Sequence, residues 1–373
     1  MITLRITAED MTVMIKSARL TPSATGVITR SKIDGMHMLL EMDPEEARDL
    51  QVVLGGSVPR ADDRKDRRIL QRLVHKLAEK LDRIGEGLEI DPSDMARRIL
   101  DYNTAPRAEF DGLSPAQVQI LIKTPWTTDT PGLQIHADVD PAVLEGSDLL
   151  HNARILLMAL ADGGTKTTAV SGNLNRAFVE RMLGAMRWPE GYEDECRYMN
   201  KVFNEEDVWK LHELRVVLKE ARLIARRKGM MVATKKGRDL AAPDQAGKLL
   251  ALIFETTFRR YNLAYGDRLP DLVDFQYTIS YPLAVLARLD GEWIDFEVLK
   301  GRLLLPAVAE MMPKHKYIDD EDRIIRSRLL NILESMGLIE CRREPIEKRI
   351  SADLIAVRKT AAYDQFIRLE LGG

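Results

Sequence analysis

A short stretch near the middle of the chain has the residue types that bind phosphate. Gly163, Gly164, Lys166 and Thr167 lie together in "ADGGTKTT". A phosphate-binding loop also uses glycines, a lysine and a hydroxyl, but its first glycine stands well before the Gly-Lys pair, after a buried strand. Here that spacing is absent, and the helical pattern "ARILLMALA" precedes the glycines. The context favours glycines that end a helix, followed by "TTAVSG" as a short strand.

The other residue types that carry chemistry are scattered. Cys196 and Cys341 lie far apart without CxxC spacing, which predicts neither a disulfide framework nor a zinc site. The histidines form no HxxxH or HExxH pattern, and no GxSxG occurs. His212 lies in an amphipathic helical pattern, where we expect a surface or half-buried side chain. The sequence therefore predicts no enzyme activity, no cofactor and no metal site.

The composition is typical of a globular protein with more than one domain. The chain has 373 residues, 45% of them hydrophobic and 30% charged, which excludes a disordered chain. The net charge of −3 means that any anion-binding surface must be local. The start "MITLRITAED" has no apolar signal-peptide segment, and no stretch is apolar enough to span a bilayer. We expect a cytoplasmic protein that does not bind membranes.

The first part of the chain predicts an α+β unit and a connector. Residues 1–60 contain a predicted hairpin with its turn at Asp34-Gly35, followed by a helix that Asp43 caps. Residues 61–147 contain further helical patterns, one of which begins at the capping residue Ser114, and they predict a helical connector.

From residue 148 the order of predicted elements is typical of a winged helix, a variant of the helix-turn-helix. Residues 148–242 predict helices followed by the strands "RLIAR" and "MMVAT", which "RKG" joins. Residues 243–273 predict a bridging helix, and residues 274–373 predict a second winged-helix unit. The predicted fold class is mainly α with small β hairpins: an α+β protein with an N-terminal α+β unit and two winged-helix units.

The second unit aligns with the first as an internal repeat. Leu223 and Ile224 fall on Leu338 and Ile339, and "TKKG" falls on "RKTA". The segments "DGLSPAQVQILIKTPW", "ADGGTKTTAVSGNLNRAFVERM", "RRKGMMVATKKGRDL" and "TFRRYNLAYGDRLPD" also carry a resemblance. Over roughly residues 110–370 the chain resembles a widespread family of uncharacterised bacterial proteins. The resemblance implies a shared fold and no assigned activity.

Two clusters of basic residues are the candidate binding sites. The first basic hairpin, residues 222–238, contains no acid and carries Arg222, Arg226, Arg227, Lys228, Lys235, Lys236 and Arg238. The second basic hairpin, residues 342–359, carries Arg342, Arg343, Lys348, Arg349, Arg358 and Lys359. Such clusters neutralise phosphates without reading sequence, but a solvated strand face has the same composition.

Two further features qualify this hypothesis. The third helix of each unit begins with acids, "NEEDVWK" and "DDEDRII", which would be repelled by a phosphate backbone, so sequence-specific reading by those helices is not expected. In "FETTFRRYNLAYGDRLPD", Phe254, Phe258, Tyr261 and Tyr265 are interleaved with arginines. Such aromatics can stack on single-stranded bases, but their helical spacing favours inter-domain core.

The sequence leaves two functional hypotheses from different classes. The first is non-enzymatic, regulatory binding of duplex DNA through the basic hairpins. The alternative is a protein-interaction scaffold whose winged helices dock a protein partner or self-associate.

Overall fold

A computed structural model describes residues 2–18, 20–61, 63–82, 92–312, 320–345 and 352–371. The chain divides into two compact units, residues 1–100 and 101–373. Among the described residues, no helix is both long and apolar enough to cross a membrane.

Unit 1 is a small α+β unit. Its elements are β1 (Ile2–Thr7), α1 (Ala8–Ser17), α2 (Pro22–Thr29), β2 (Lys32–Asp34), β3 (His37–Met42), α3 (Pro44–Ser57) and α4 (Arg64–Asp82). The strands form an antiparallel sheet in the order β1-β3-β2, and the turn between β2 and β3 includes Gly35 at φ +61°. The predicted hairpin is confirmed, and so is the helix that Asp43 caps. The sequence in front of β2 forms α2 instead of a longer strand.

The helix α4 belongs to unit 1. Its apolar stripe, Ile69, Leu70, Leu73, Leu77 and Leu81, is buried in the same cluster as the strands. The division between the units therefore differs from the predicted boundary at residues 60 and 61, because an amphipathic helix of this length has to bury its stripe. A further helix, α5 (Pro92–Thr104), spans the division at residue 100.

Unit 2 contains the remaining elements. Those of its first half are α6 (Pro115–Lys123), β4 (Gly132–Ile135), α7 (Asp148–Ala161), β5 (Thr165–Lys166), α8 (Arg176–Ala185), α9 (Tyr192–Met199), α10 (Trp209–Glu220), β6 (Ile224–Arg227), β7 (Met230–Ala233), α11 (Lys235–Leu240) and α12 (Ala246–Arg259). Those of its second half are α13 (Val273–Tyr277), α14 (Ser280–Ala287), β8 (Ile294–Asp295), α15 (Phe296–Lys300), α16 (Pro306–Ala309), α17 (Asp320–Ile325), α18 (Asn331–Ser335), β9 (Ile339–Pro345), β10 (Ala352–Lys359), α19 (Ala361–Phe366) and β11 (Ile367–Glu370). A π-helical turn, Arg326–Leu330, joins α17 to α18.

Two sheets of unit 2 have the same strand order. The first sheet is β5-β7-β6, and the second is β8-β10-β9. In each sheet the first strand, β5 or β8, is followed by helices and then by a hairpin. This first strand pairs with the second strand of that hairpin, β7 or β10. Both halves contribute to one apolar cluster that includes Phe254 and Phe258 of α12, and β4 pairs with β11 near the end of the chain.

The hydrogen bonds correct one part of the internal alignment. Thr234 Oγ1 donates to Arg222 O and Leu223 O, at 3.0 and 3.1 Å. Thr360 Oγ1 donates to Gly337 O and Leu338 O, at 2.8 and 3.0 Å, and each threonine caps the helix that follows it. Thr234 therefore corresponds to Thr360, whereas the sequence alignment places "TKKG" on "RKTA" two residues too early.

We expect Leu73→Ala to destabilise unit 1 by about 2–5 kcal/mol, because Leu73 is fully buried and its truncation leaves a cavity. The matched control is Gln71→Ala, an exposed change on the same helix that should alter stability by less than about 0.5 kcal/mol. Urea unfolding of the full chain measures both. Equal, small effects would mean that α4 is a connector and not part of the core.

Candidate functional site

The glycines that resemble a phosphate-binding loop terminate a helix. α7 ends at Ala161, and Gly163 and Gly164 have φ values of +83° and +74°. The strand β5 follows at once and pairs with β7, Thr165 with Met231 and Lys166 with Met230. The predicted helix end is confirmed. The predicted strand "TTAVSG", residues 167–172, is wrong: the strand comprises Thr165 and Lys166, directly in front of that segment, and residues 169–171 form a turn before α8.

The first basic hairpin is a tight turn between short strands. β6 ends at Arg227, β7 begins at Met230, and Lys228 and Gly229 between them have φ values of +50° and +76°. Positive φ at both central residues matches the right-handed twist of the flanking strands. The predicted strands and turn are confirmed, and the turn places Lys228 at the tip of the hairpin.

All seven cations of the first basic hairpin are exposed, but three of them have partners within the chain. Arg226 Nη2 donates to Thr168 O and Ala169 O, at 3.2 and 3.3 Å. Arg238 Nη1 donates to Ala233 O, and Lys235 Nζ forms an exposed ion pair with Asp239 at 2.7 Å. The side chains of the other four show no hydrogen bond or ion pair to another residue in the described part of the chain: Arg222, Arg227, Lys228 and Lys236.

Three cations of the second basic hairpin form ion pairs with acids. Arg343 forms a two-pronged ion pair with Glu334, and this hydrogen bonding raises the pKa of the guanidinium. Arg358 Nε lies 2.8 Å from Glu340 Oε2, and Lys359 Nζ lies 2.7 Å from Asp364 Oδ1. Among the described cations of this hairpin, three of four are therefore paired with an acid, against one of seven in the first.

The remaining described arginine of the second basic hairpin, Arg342, contacts an aromatic ring. Arg342 lies 4.3 Å from the ring centre of Trp293, and Arg358 stacks on the same ring at 4.7 Å. Lys348 and Arg349 lie outside the described residues.

The helix in front of each basic hairpin ends with the same pair of backbone hydrogen bonds, although the residue types at that end differ. Leu223 N donates to Leu218 O and Arg222 N to Lys219 O, and Gly337 and Leu338 repeat this pair of bonds after α18. The residue in the left-handed conformation is Gly337 in the second half and Arg222, at φ +60°, in the first. Arginine has a steric cost at this position that glycine avoids.

A buried polar cluster that was not predicted from the sequence lies at the start of α10. Glu205 is fully buried, and its Oε1 accepts from His212 Nδ1 at 2.7 Å and from Arg215 Nε. Its Oε2 accepts from Leu174 N at 2.5 Å. Glu205, the first acid of "NEEDVWK", therefore points into the protein and is not part of the surface at the start of this helix. His212 follows Glu205 by seven residues and Arg215 follows it by ten, and no known sequence motif has these spacings.

The cluster favours an ionised carboxylate at Glu205. Burial opposes ionisation, but the hydrogen bond from His212 and the charge of Arg215 lower the pKa of Glu205 below its ordinary value. Because a carboxylate only accepts hydrogen bonds, His212 donates through Nδ1, and its Nε2 meets the Tyr265 hydroxyl at 3.1 Å. His212 is only 5% exposed, so the expected surface or half-buried histidine is wrong.

The cluster fixes the loop between β5 and α8. Glu205 holds Leu174 N at one end of this loop, and Arg226 holds the carbonyls of Thr168 and Ala169 at the other. Both oxygens of Glu205 have partners, which is typical of a structural carboxylate. An open groove of about 690 Å³ beside the loop is lined by residues that include Asn173, Asn175, Arg176 and Glu206.

The aromatic residues near α12 belong mainly to the core. Phe254, Phe258 and Tyr261 are buried, in agreement with the packing that their spacing favours. Tyr265 is 43% exposed and stacks with Trp209 and His212. Among the described residues, no group of three or more histidines, cysteines or acids could hold a metal ion.

Comparison with known proteins finds a family model and a relative that each match part of the chain. Residues 145–248 match the model of a family described as the Y4jL N-terminal domain. The chain is 36% identical over 118 residues to the uncharacterized protein y4jL of Sinorhizobium fredii (strain NBRC 101917 / NGR234). This match covers 31% of the chain and 52% of the relative, so it spans about half of the relative's length. No solved structure matches.

The matched segment contains the first sheet and the first basic hairpin. Both matches support similarity to an uncharacterised bacterial family.

We expect the stability of the protein to depend on the charge of Glu205. Because the folded-state pKa is lowered, its contribution is present above the ordinary value of 4.5 and is lost as the pH falls through the folded-state pKa. Glu205→Gln should cost about 3–5 kcal/mol at neutral pH, because Arg215 keeps no buried counterion. It should also weaken the loss of stability on acidification.

The control is Glu206→Gln, an exposed neighbour. Urea unfolding at about pH 7 and about pH 3 measures the free energy of unfolding of both variants. If acid destabilised both variants as much as the wild type, Glu205 would not be the ionised group of this cluster.

Proposed function

We propose that the protein binds duplex DNA without enzymatic activity, through the phosphate backbone and the first basic hairpin. The observation that carries the proposal is the charge of this hairpin: residues 221–238 contain no acid, and four exposed cations have no partner among the described residues. A cluster of surface cations without neighbouring acids has a positive potential that attracts polyanions. A regulatory role and a location in the cytoplasm with the DNA are part of this proposal.

The order of elements supports winged-helix units at residues 148–242 and 274–373. In each, helices precede a two-stranded hairpin whose last strand pairs with a strand from before those helices. We infer that the first unit makes the DNA contact, since Glu334, Glu340 and Asp364 pair with three of the four described cations of the second basic hairpin.

The third helix of the first unit is not the proposed reading element. The segment before α10 presents the exposed Glu206 and the half-buried Asp207 beside the buried Glu205, and acids at the surface repel a phosphate backbone. Binding through the hairpin therefore lacks base contacts, and we expect little preference among DNA sequences.

A protein-interaction scaffold is the second candidate. Tyr198 and Met199 at the end of α9, together with Val202, are 90%, 70% and 51% exposed. Exposed apolar groups this close together are typical of surfaces that dock a protein or a second copy of the chain. Absence of DNA binding at low salt would favour this candidate over the first.

We expect affinity for random-sequence duplex DNA to fall steeply with salt. Arg227→Ala combined with Lys228→Ala should flatten the slope of log K against log salt by about 1.8, because each neutralised phosphate contributes about 0.9 to that slope. Arg343→Gln in the second basic hairpin is the matched control and should leave the slope unchanged, because Glu334 already neutralises that arginine. Fluorescence anisotropy measures the slopes, and an equal effect of both changes would contradict the assignment to the first hairpin.

Arg222→Gly should separate stability from binding. Glycine relieves the left-handed conformation at this position, so the free energy of unfolding should rise by up to about 1 kcal/mol while DNA affinity falls. Arg222→Ala is the control: it removes the same charge but keeps the steric cost, so it should weaken binding without the gain in stability. An unchanged affinity in both variants would exclude Arg222 from the site.

A further inference from the structure

Strand β5 adds a cation to the first sheet that the basic hairpins do not include. Lys166 lies opposite Met230 in the pairing of β5 with β7, and Arg227 lies opposite Met230 in the pairing of β6 with β7. Residues directly opposite across antiparallel strands share one face of the sheet. Lys166 and Arg227 therefore flank Met230 in a single row, and both are exposed.

The other face of the sheet points to the core. Thr165 and Met231, the next pair in the register, are 7% and 1% exposed. Because side chains alternate along a strand, this burial places Lys166 and Arg227 on the outer face. Adjacent strands are about 4.8 Å apart, so the backbone positions of the two cations are separated by roughly 10 Å.

The position of Lys166 is fixed by backbone contacts. Thr167 N and Oγ1 both donate to Gly229 O, at 2.9 and 3.0 Å, which ties the end of β5 to the turn of the hairpin. At the other end of β5, a Cβ on Gly164 would lie 2.4 Å from Met231 O, so this close approach requires glycine. Lys166 is thus held beside the hairpin tip without an acidic partner among the described residues.

We propose that Lys166 is a phosphate-binding residue and that, with Arg227, it forms a two-cation row across the outer face of the first sheet. The ligand class is a phosphodiester backbone, whose successive phosphates the two cations contact separately. This inference rests on the proposed function and adds the strand β5 to its surface. It gives the lysine of "GGTKT" a role in binding phosphate that does not depend on a nucleotide-binding loop.

The test compares Lys166→Gln, Arg227→Gln and the double variant in binding to a random-sequence duplex over a range of salt concentrations. Each single change should reduce the slope of log K against log salt by about 0.9, and the double change by about 1.8, because separate phosphates contribute additively. Lys248→Gln, at an exposed lysine of α12, is the control and should leave the slope unchanged. Thermal unfolding of each variant verifies that the sheet is intact.

The outcomes distinguish the two proposals. Binding by the wild type that is weakened by Arg227→Gln but unchanged by Lys166→Gln would overturn the role of Lys166 and leave the proposed function in place. Equal reductions for Lys166→Gln and Lys248→Gln would also overturn it, since they would reflect net charge alone. No binding by the wild type at low salt would overturn both.

Discussion

The pairing of β5 with β7 is the constraint on which the first sheet depends. It requires the chain to leave α7 through two left-handed residues, Gly163 and Gly164, and to pass so close to Met231 that a side chain at Gly164 would collide with its carbonyl. Once β5 is in place, Thr167 is bonded to the hairpin turn and Lys166 faces outward beside Arg227. The glycines therefore shape the backbone of the sheet on which the proposed phosphate-binding surface lies.

A buried carboxylate supports the same region from the inside. Glu205 bonds His212, Arg215 and Leu174 N, and Arg226 bonds the opposite end of the loop that Leu174 closes. The cost of burying Glu205 is offset by its charged and hydrogen-bonded partners, which lower its pKa. One arginine of the basic hairpin thus contributes to structure, while its neighbour Arg227 stays available on the outer face.

Local sequence signals predicted much of this structure. The capping residues Asp43 and Ser114, the turn at Lys228-Gly229 and the helix end at Gly163 each follow from short-range stereochemistry, and the structure has them all. Contacts between residues far apart in the sequence could not be predicted from such local signals. The burial of His212 depends on an acid seven residues earlier, and the ion pairs that balance the second basic hairpin join residues that periodicity does not relate. The placement of α4 in unit 1 likewise depends on which surface covers its apolar stripe.

Lysine protection in the presence of DNA tests the central claim most directly. A limiting acylating reagent, applied to the full chain with and without a saturating random-sequence duplex at low salt, reports which lysines the DNA covers. We expect protection at the exposed lysines of the first sheet and hairpin, Lys166, Lys228 and Lys236, and none at Lys248 of α12. Unchanged reactivity at all of these residues under saturating DNA, or protection confined to Lys359 of the second hairpin, would contradict DNA binding through the first basic hairpin.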